Sequence, residues 1–451
     1  RQPTRRLIFL LRKTMDLLIA FLVLIVSVLF SLFQNFSLLI PLGIGLICFI
    51  SVGLYRHYPL RSLFKMALEG AKNSLVVIRV LVLIGCLTAL WRACGTISFF
   101  VVFGVKLITP HIFILVAFLL SSLVSYAMGT SFGVAGTVGV ILMSIARAGG
   151  VNEYIAAGAI LSGVYFGDRT APTSSCANLV ASLTKTDLYD NVKRMLKSAA
   201  LPFVICIFLY AGLSWKNPLS SADTSLVSVL ENNFSLSVWT LIPAVILLIL
   251  PLFRIPVRIA ISISILFSFA VSMGSQQMGF EDTFHAMLFG YKPSDPTLTG
   301  ILSGGGLIPM LTTILIVALS STYSGIFNGT NMISGIREKL FDLSEKIGRF
   351  PTVVATSILS CAVFCNQTMG IIFTHEMVGK IYQEKKIDRN TFMLDIANST
   401  TLIAVLIPWS IASSVPLTWM GVDFKALPYA FLLYLIPLFY GIQEQHKSKQ
   451  H

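Results

Sequence analysis

Tyr165-Phe166-Gly167-Asp168-Arg169-Thr170-Ala171-Pro172-Thr173-Ser174-Ser175-Cys176-Ala177-Asn178 sets a carboxylate, a guanidinium, a proline and a run of small polar side chains inside an apolar chain. A charge at bilayer depth costs roughly 2.5–3.5 kcal/mol on insertion scales, so it marks a functional site by default. Proline and glycine free backbone groups that are tolerated at that depth only against protein or a wet cavity. The stretch reads as a broken membrane helix around an ion or solute site.

The surrounding composition supplies the membrane. The 451 residues are 55% hydrophobic and 12% charged, with mean hydropathy +0.82. Soluble domains carry about 25% charged residues. Residues 17–33, 38–54 and 239–253 hold no charge and approach the ~20 residues that span hydrocarbon. The expected class is an all-α polytopic membrane protein of about twelve to fourteen crossings, with no loop long enough for a soluble domain. No small-residue cleavage site follows the first apolar run, so no signal peptide is expected. The net charge of +13 falls in short basic stretches at 56–72, 185–197, 254–258, 337–349, 380–389 and 447–449. Alternating crossings put all of these on the side of the N-terminus, which predicts both termini in the cytoplasm of a bacterial inner membrane. That distribution argues for a bilayer partner and against nucleic acid. The seven cysteines (48, 86, 94, 176, 206, 361 and 365) form no Cys-x-x-Cys pair and read as small packing residues rather than metal ligands.

The crossings divide into two sets. Sliding the chain by 236 residues lays 159–174 on 395–410, with Pro172 on Pro408, Ser174 on Ser410 and Ser162 on Asn398. It also lays Gly129-Thr130-Ser131-Phe132-Gly133 on Cys365-Asn366-Gln367-Thr368-Met369. An odd number of crossings per half inverts the second half. Inverted repeats with matching broken helices are the build of secondary transporters, and the broken pair points to the binding site. The expected division is a first repeat over 1–214, an external loop over 215–236, a second repeat over 237–442 and a cytoplasmic tail over 443–451. Residues 332–348 read as an amphipathic cytoplasmic helix, and Gly304-Gly305-Gly306 as an unwinding point rather than a phosphate loop, because no Lys-Ser/Thr follows.

Asp168 and Asp395 are the carboxylates set deepest in the broken segments. Burial disfavours the charged form of a carboxylate, so such a group takes up a proton or binds a cation, and competition for one site suffices to exchange protons for sodium. Sodium, a hard cation, prefers oxygen ligands. Ser162, Thr170, Thr173, Ser174, Ser175 and Asn178 offer them in one half, with Thr130 and Ser131 as polar lining. Asn398, Ser399, Thr400, Thr401 and Ser410 offer them in the other, with Asn366 and Gln367 at its hairpin. The plain alternatives are that Asp168 pairs with Arg169 or another arginine as a structural tether and that Asp395 caps a helix. Gly129-x-Ser131-x-Gly133 also fits a serine-hydrolase pattern, but it fits equally the Gly-x-x-x-Gly spacing of close-packed membrane helices, and the histidines lie mostly at loops or ends. His375-Glu376 lacks the second histidine of a zinc motif, because position 379 is glycine. Glu376 is then a proton-path residue or a tether to Lys380. Arg79, Arg92 and Arg147 either face a carboxylate solute or snorkel to the interface, which is the preferred expectation.

Residues 129–143, 157–168, Leu394-Asp395 and Leu406-Ile407-Pro408-Trp409-Ser410 together resemble the NhaC family of bacterial sodium/proton antiporters. The resemblance covers most of the chain. It implies a secondary carrier with inverted repeats, not an enzyme, with Asp168 and Asp395 at acidic positions of the family pattern. It implies no cofactor, with Na+ as the transported ion exchanged for H+. The family also includes a malate/lactate exchanger and amino-acid carriers, so a small organic solute is the alternative substrate, with Arg169 and residues 174–178 lining its site. Homodimers are common among such carriers. One departure stands out. After Gly-Asp the family pattern runs Lys-x-Ser-Pro-x-Ser-Asp-Thr-Thr-x-Leu. Here Arg169 stands for the lysine and Ser175-Cys176-Ala177 for Asp-Thr-Thr, which removes the second carboxylate of that helix.

Overall fold

The computed structural model describes residues 16–17, 19–31, 34, 36–107, 109–219, 224–253, 255–330 and 336–448. The basic lead-in over 1–15, Arg254, the start of the expected amphipathic helix at 332–335 and the tail beyond 448 lie outside them. Helices dominate the chain: α1 (Ile19–Ser31), α2 (Leu39–Tyr55), α3 (Leu60–Asn73), α4 (Leu75–Ala93), α5 (Thr96–Leu107), α6 (Phe113–Met128) and α7 (Ser131–Ala148). They continue as α8 (Glu153–Thr170), α9 (Ser175–Thr184), α10 (Leu188–Lys216), α11 (Thr224–Asn233), α12 (Val238–Leu252), α13 (Val257–Gly274) and α14 (Phe280–Phe289). The last are α15 (Leu307–Thr330), α16 (Ile336–Ile347), α17 (Arg349–Phe364), α18 (Gln367–Glu384), α19 (Arg389–Ala397), α20 (Thr400–Leu406), α21 (Ile411–Met420) and α22 (Phe431–Ser448).

The protein is an all-α, multi-pass membrane protein. Among the described residues, four helices are by themselves long and apolar enough to cross a bilayer: Pro110–Met128, Ser131–Ala148, α10 and α15. Two more candidates are bent pairs, α4 with α5 at 66° and α19–α20 with α21 at 52°. Several other apolar helices are shorter than a full span, which is why a count of hydrophobic runs exceeds the count of unbroken spanning helices. Large apolar side chains such as Leu22, Ile47, Leu123, Phe208 and Leu266 face outward and exposed, as a lipid-contacting surface requires. The segment expected as a loop at 215–236 is in part helical: α10 runs on to Lys216, and α11 follows, with Leu230 fully buried.

The core is set by close helix crossings. A Cβ added at Gly167 of α8 would sit 2.2 Å from the Ser125 carbonyl carbon of α6, and one at Gly163 would sit 2.5 Å from the Phe118 carbonyl oxygen. Glycine therefore lets α8 lie directly on the backbone of α6, the small-residue packing that drives association where lipid removes the hydrophobic force. The Ser125 hydroxyl adds a hydrogen bond to the Val164 carbonyl, at 2.5 Å. On the other side, Gly325 of α15 meets α3 in the same way, 1.9 Å from the Met66 carbonyl. Gly305 crosses α4 with its added Cβ 2.4 Å from the Ala89 nitrogen, and the Gly306 amide donates to the Gly85 carbonyl at 2.7 Å. The expected unwinding point is thus a hydrogen-bonded crossing of α4.

Gly167→Ala should overpack the α6–α8 crossing and destabilise the protein by about 1–3 kcal/mol, read as a lower melting temperature in detergent. Gly212→Ala is the control, because its Cβ meets nothing within 4 Å. It should leave the melt unchanged or raise it by the helix-propensity gain of roughly 0.5–1 kcal/mol.

Candidate functional site

The site begins where two helices turn back. α6 ends at Gly129, whose φ of +66° is the left-handed corner that glycine adopts without steric cost. Thr130 is extended and caps the next helix, its hydroxyl accepting from the Gly133 amide at 3.3 Å. At positions 236 residues later, Cys365 takes the same left-handed corner at φ 52°, and Asn366 is extended and caps α18 by accepting from the Met369 amide at 3.3 Å. A left-handed non-glycine residue is uncommon, and its carbonyl is used: the Ile411 amide donates to the Cys365 oxygen at 2.8 Å. Each corner therefore abuts a helix break. Gly129 lies against Thr173 and Ser174, and Cys365 against Ile411.

Both breaks carry a serine cap at equivalent positions. Between α8 and α9, Ala171 to Ser174 leave the helix, and the Ser174 hydroxyl accepts from the Cys176 and Ala177 amides at 3.0 and 3.3 Å. Asn178 reaches back to donate to the Pro172 and Ser174 carbonyls at 2.9 and 2.7 Å. Between α20 and α21, Ser410 accepts from the Ala412 amide at 3.3 Å. These side chains replace the backbone partners that the helix would have supplied.

Asp168 sits one turn before the first break and is buried. The Ser174 hydroxyl, besides capping α9, donates to the Asp168 backbone oxygen and lies 3.3 Å from Oδ1. Ser131 and Gln367 are further polar neighbours of its carboxylate. Gln367 is further fixed by donating to the Thr401 carbonyl at 2.8 Å. So the first corner, the first break and the second corner converge on one carboxylate. Among the described residues Asp168 has no ion pair, and the tether to Arg169 is not formed. Sequence reasoning missed Tyr165, which donates to the Ala412 carbonyl of α21 and faces Ser131. An aromatic in an apolar helix carries no signal of such a role.

Arg169 turns the other way. It is buried, and it donates to the Ala397 and Met195 carbonyls at 2.9 and 3.1 Å, to the Ser198 hydroxyl at 2.8 Å and to Asn398 Oδ1. It caps the carbonyl end of α19 and locks α8 to the second broken rod. Asn398 keeps its Nδ2 buried and without a partner. Ser399 donates to the Asp395 backbone oxygen at 2.5 Å, and Ser357 joins Ser399 and Thr400 at 3.2 and 2.7 Å. Thr173 and Ser175 are exposed at the first break, as is Asn178.

Asp395 stands apart from the Asp168 cluster and both its oxygens are taken. Arg349 Nε lies 2.7 Å from Oδ2, the Tyr382 hydroxyl donates to Oδ2, and the Tyr440 hydroxyl donates to Oδ1 at 2.8 Å. Arg349 also pairs with Glu444. This network joins α17, α18, α19 and α22. Arg349 had been read only as part of a basic loop, and nothing in sequence linked it to Asp395. Glu376 is exposed, and the ion pair of Lys380 is with Glu384 at 3.5 Å. Arg147 pairs with Glu153 at 2.8 Å and donates to the Met420 carbonyl at 2.6 Å. Arg92 is buried rather than snorkelling.

Comparison with known proteins agrees with this architecture. The sequence profile of the Na+/H+ antiporter family matches residues 163–442. The Na+/H+ antiporter NhaC of Alkalihalophilus pseudofirmus is 27% identical over 405 residues, 88% of each chain. The malate-2H+/Na+-lactate antiporter of Bacillus subtilis is 27% identical over 443 residues, 93% of each. The arginine/ornithine antiporter ArcD of Halobacterium salinarum is 29% identical over 384 residues, covering 82% of this chain and 79% of that one.

Arg349→Gln should cost several kcal/mol, because removing one partner strands a buried charge at about 3–5 kcal/mol. Asp395→Asn added to it should recover part of that loss, since the double change removes the fully buried charge that Arg349 balanced. Melting curves of wild type and the two variants check this, and an Arg349→Gln melt equal to wild type would show that the pair contributes nothing.

Proposed function

The chain belongs to the Na+/H+ antiporter family, a secondary antiporter and not an enzyme, and from that premise we propose that Asp168 is the carboxylate for which Na+ and H+ compete. The observation that carries the proposal is the convergence of Ser131, Ser174 and Gln367 on a buried carboxylate without an ionic partner. An unpaired buried charge is costly. A proton or a sodium ion each removes the cost, and the two cannot occupy the same oxygens together. Around Asp168 the hydroxyls of Ser131 and Ser174 are oxygen ligands of the kind a hard cation takes. Both hydroxyls rotate, so they donate to the carboxylate when it is empty and turn lone pairs to a cation when it is filled. The ion is substrate, and no cofactor enters the cycle.

Transport then needs access from alternate sides. In this conformation a cavity of about 280 Å³ reaches Pro408 and Ser414 of the second break from the end of the bundle that carries Thr418 and Phe424. At the start of the same broken rod, Asp395 is sealed under Arg349, Tyr382 and Tyr440. Opening one end while the other closes is rocking about a fixed site, which inverted halves with broken helices support. The basic stretches support a cytoplasmic position for the sealed end, by the positive-inside rule.

A second reading keeps the carrier and changes the cargo. The missing carboxylate at Ser175 and the unpartnered Nδ2 of Asn398 favour a small organic solute. Relatives named for malate and lactate, and for arginine and ornithine, show that similar chains carry such solutes.

Proteoliposomes holding a pH-sensitive dye should show sodium-driven proton flux that Asp168→Asn abolishes. Asp395→Asn, by contrast, should alter rate and stability while leaving the sodium dependence of the remaining flux. Wild-type flux in sodium that persists unchanged in Asp168→Asn would refute the assignment. Silence in sodium, lithium and potassium, with a response to an amino acid or carboxylate, would establish the second reading.

A further inference from the structure

The slide of 236 residues that lays one break on the other continues past the prolines, and lays Asn178 on Ser414 and Ser182 on Thr418. In each helix the two residues are four apart and share a face. Asn178 donates to the Ser174 carbonyl at 2.7 Å, and Ser414 donates to the Ser410 carbonyl at 2.9 Å. Each side chain thus reaches back to the serine that caps its own break. Thr418 repeats the bond one turn on, donating to the Ser414 carbonyl at 2.7 Å.

Burial in these two helices runs opposite to that of a lipid-facing helix. On α10, Leu201, Val204 and Phe208 are exposed, as contact with acyl chains requires. On α21, Ser414 and Thr418 are half-buried, and every other residue from Ile411 to Met420 is buried. On α9 the exposed residues are Ser175, Asn178 and Ser182, whereas Cys176, Ala177, Val180 and Ala181 are buried. Polar side chains turned outward within the membrane face a water-filled space rather than lipid. At α21 two cavities supply that space. Ser414 and Thr418 line the one of about 280 Å³ that reaches Pro408. Thr418, Val422 and Asp423 line both it and a larger one of about 980 Å³, which Arg147 and Asn152 border at the α7–α8 turn.

The two faces lead to opposite ends of the bundle. α9 runs from its break to Lys185 and the basic stretch over 185–197. From there α10 returns over 29 residues, about 43 Å of helix. Beyond its end Leu219 packs on Gly149 of the α7–α8 turn, 2.2 Å from an added Cβ. A helix length therefore separates Lys185 from the turn that borders the larger cavity.

We propose that these faces are water-filled approaches to the ion site from the two sides of the membrane: Ser414 and Thr418 from outside, Asn178 and Ser182 from the cytoplasm. The assignment of sides follows the positive-inside rule. The proposal rests on the carrier reading above and adds the route by which cargo enters and leaves. Rocking about the site decides which approach joins Asp168, so the two serve in turn.

Asn178→Cys, Ser182→Cys, Ser414→Cys and Thr418→Cys are made singly in the full-length chain. Right-side-out and everted membrane vesicles are treated with a charged, membrane-impermeant methanethiosulfonate, and modification is located by peptide mass. Ser414→Cys and Thr418→Cys should react faster in right-side-out vesicles, and Asn178→Cys and Ser182→Cys faster in everted ones. Val180→Cys and Val415→Cys, on the buried faces, should stay unmodified, and wild type gives the background of the native cysteines. Asn178→Cys loses the bonds that hold its break, so Ser182→Cys carries the test of that side if it fails to fold. No reaction at any of the four positions, equal rates from both sides, reversed sidedness, or reaction only with a membrane-dissolved maleimide would overturn the proposal. Labelling needs neither transport nor Asp168. Flux that survives Asp168→Asn beside the expected labelling sinks the Asp168 assignment alone, and flux lost in Asp168→Asn without labelling sinks the approaches alone.

Discussion

Backbone groups released inside the membrane must find partners without water, and the organisation of this protein follows from how it meets that demand. Two broken rods free carbonyls and amides near Pro172 and Pro408. Serine caps, a reaching asparagine and a buried guanidinium take them up. Because Arg169 reaches another helix and Ser174 also reaches Asp168, satisfying the breaks also assembles the site. Ser174 caps α9 and touches Asp168 with the same hydroxyl. Arg169 satisfies the end of α19 and so joins the two rods.

The two deep carboxylates illustrate how environment separates roles. Asp395 is balanced by Arg349 and two phenols, which makes it the centre of a joint between four helices. Asp168 has only neutral partners. A paired charge holds structure, whereas an unpaired one must be neutralised by something that comes and goes. A similar contrast applies to the arginines: Arg147 is paired and shapes the cavity rim, Arg169 is spent on carbonyls, and Arg92 is buried with a donor to spare.

Helical class and membrane location were legible because they depend on composition and run length, which are properties of the chain alone. The breaks were legible for the same reason. Proline with small polar neighbours cannot continue a helix in hydrocarbon, so 171–174 and 407–410 announced themselves, whereas the left-handed corners at 129 and 365 did not. Contacts across hundreds of residues were not legible. Nothing near Arg349 in sequence names Asp395, and nothing near Tyr165 names Ala412. The expectation that Arg92 snorkels failed because snorkelling depends on a helix end lying at the interface, and here the end of α4 bends by 66° into the protein.

The sequence by itself therefore determined the local vocabulary: which segments are apolar, where they break, and which residues can cap the breaks or carry a charge at depth. These follow from short-range sterics and transfer energies. Tertiary structure decided which of two similar carboxylates goes unpaired, which arginine is left without an anion, and that Gln367 of α18 lies beside Asp168 of α8. Those outcomes depend on distances of a few ångströms between helices. Packing at positions such as Gly163, Gly167 and Gly136 sets those distances, and no pattern of nearby residues encodes them.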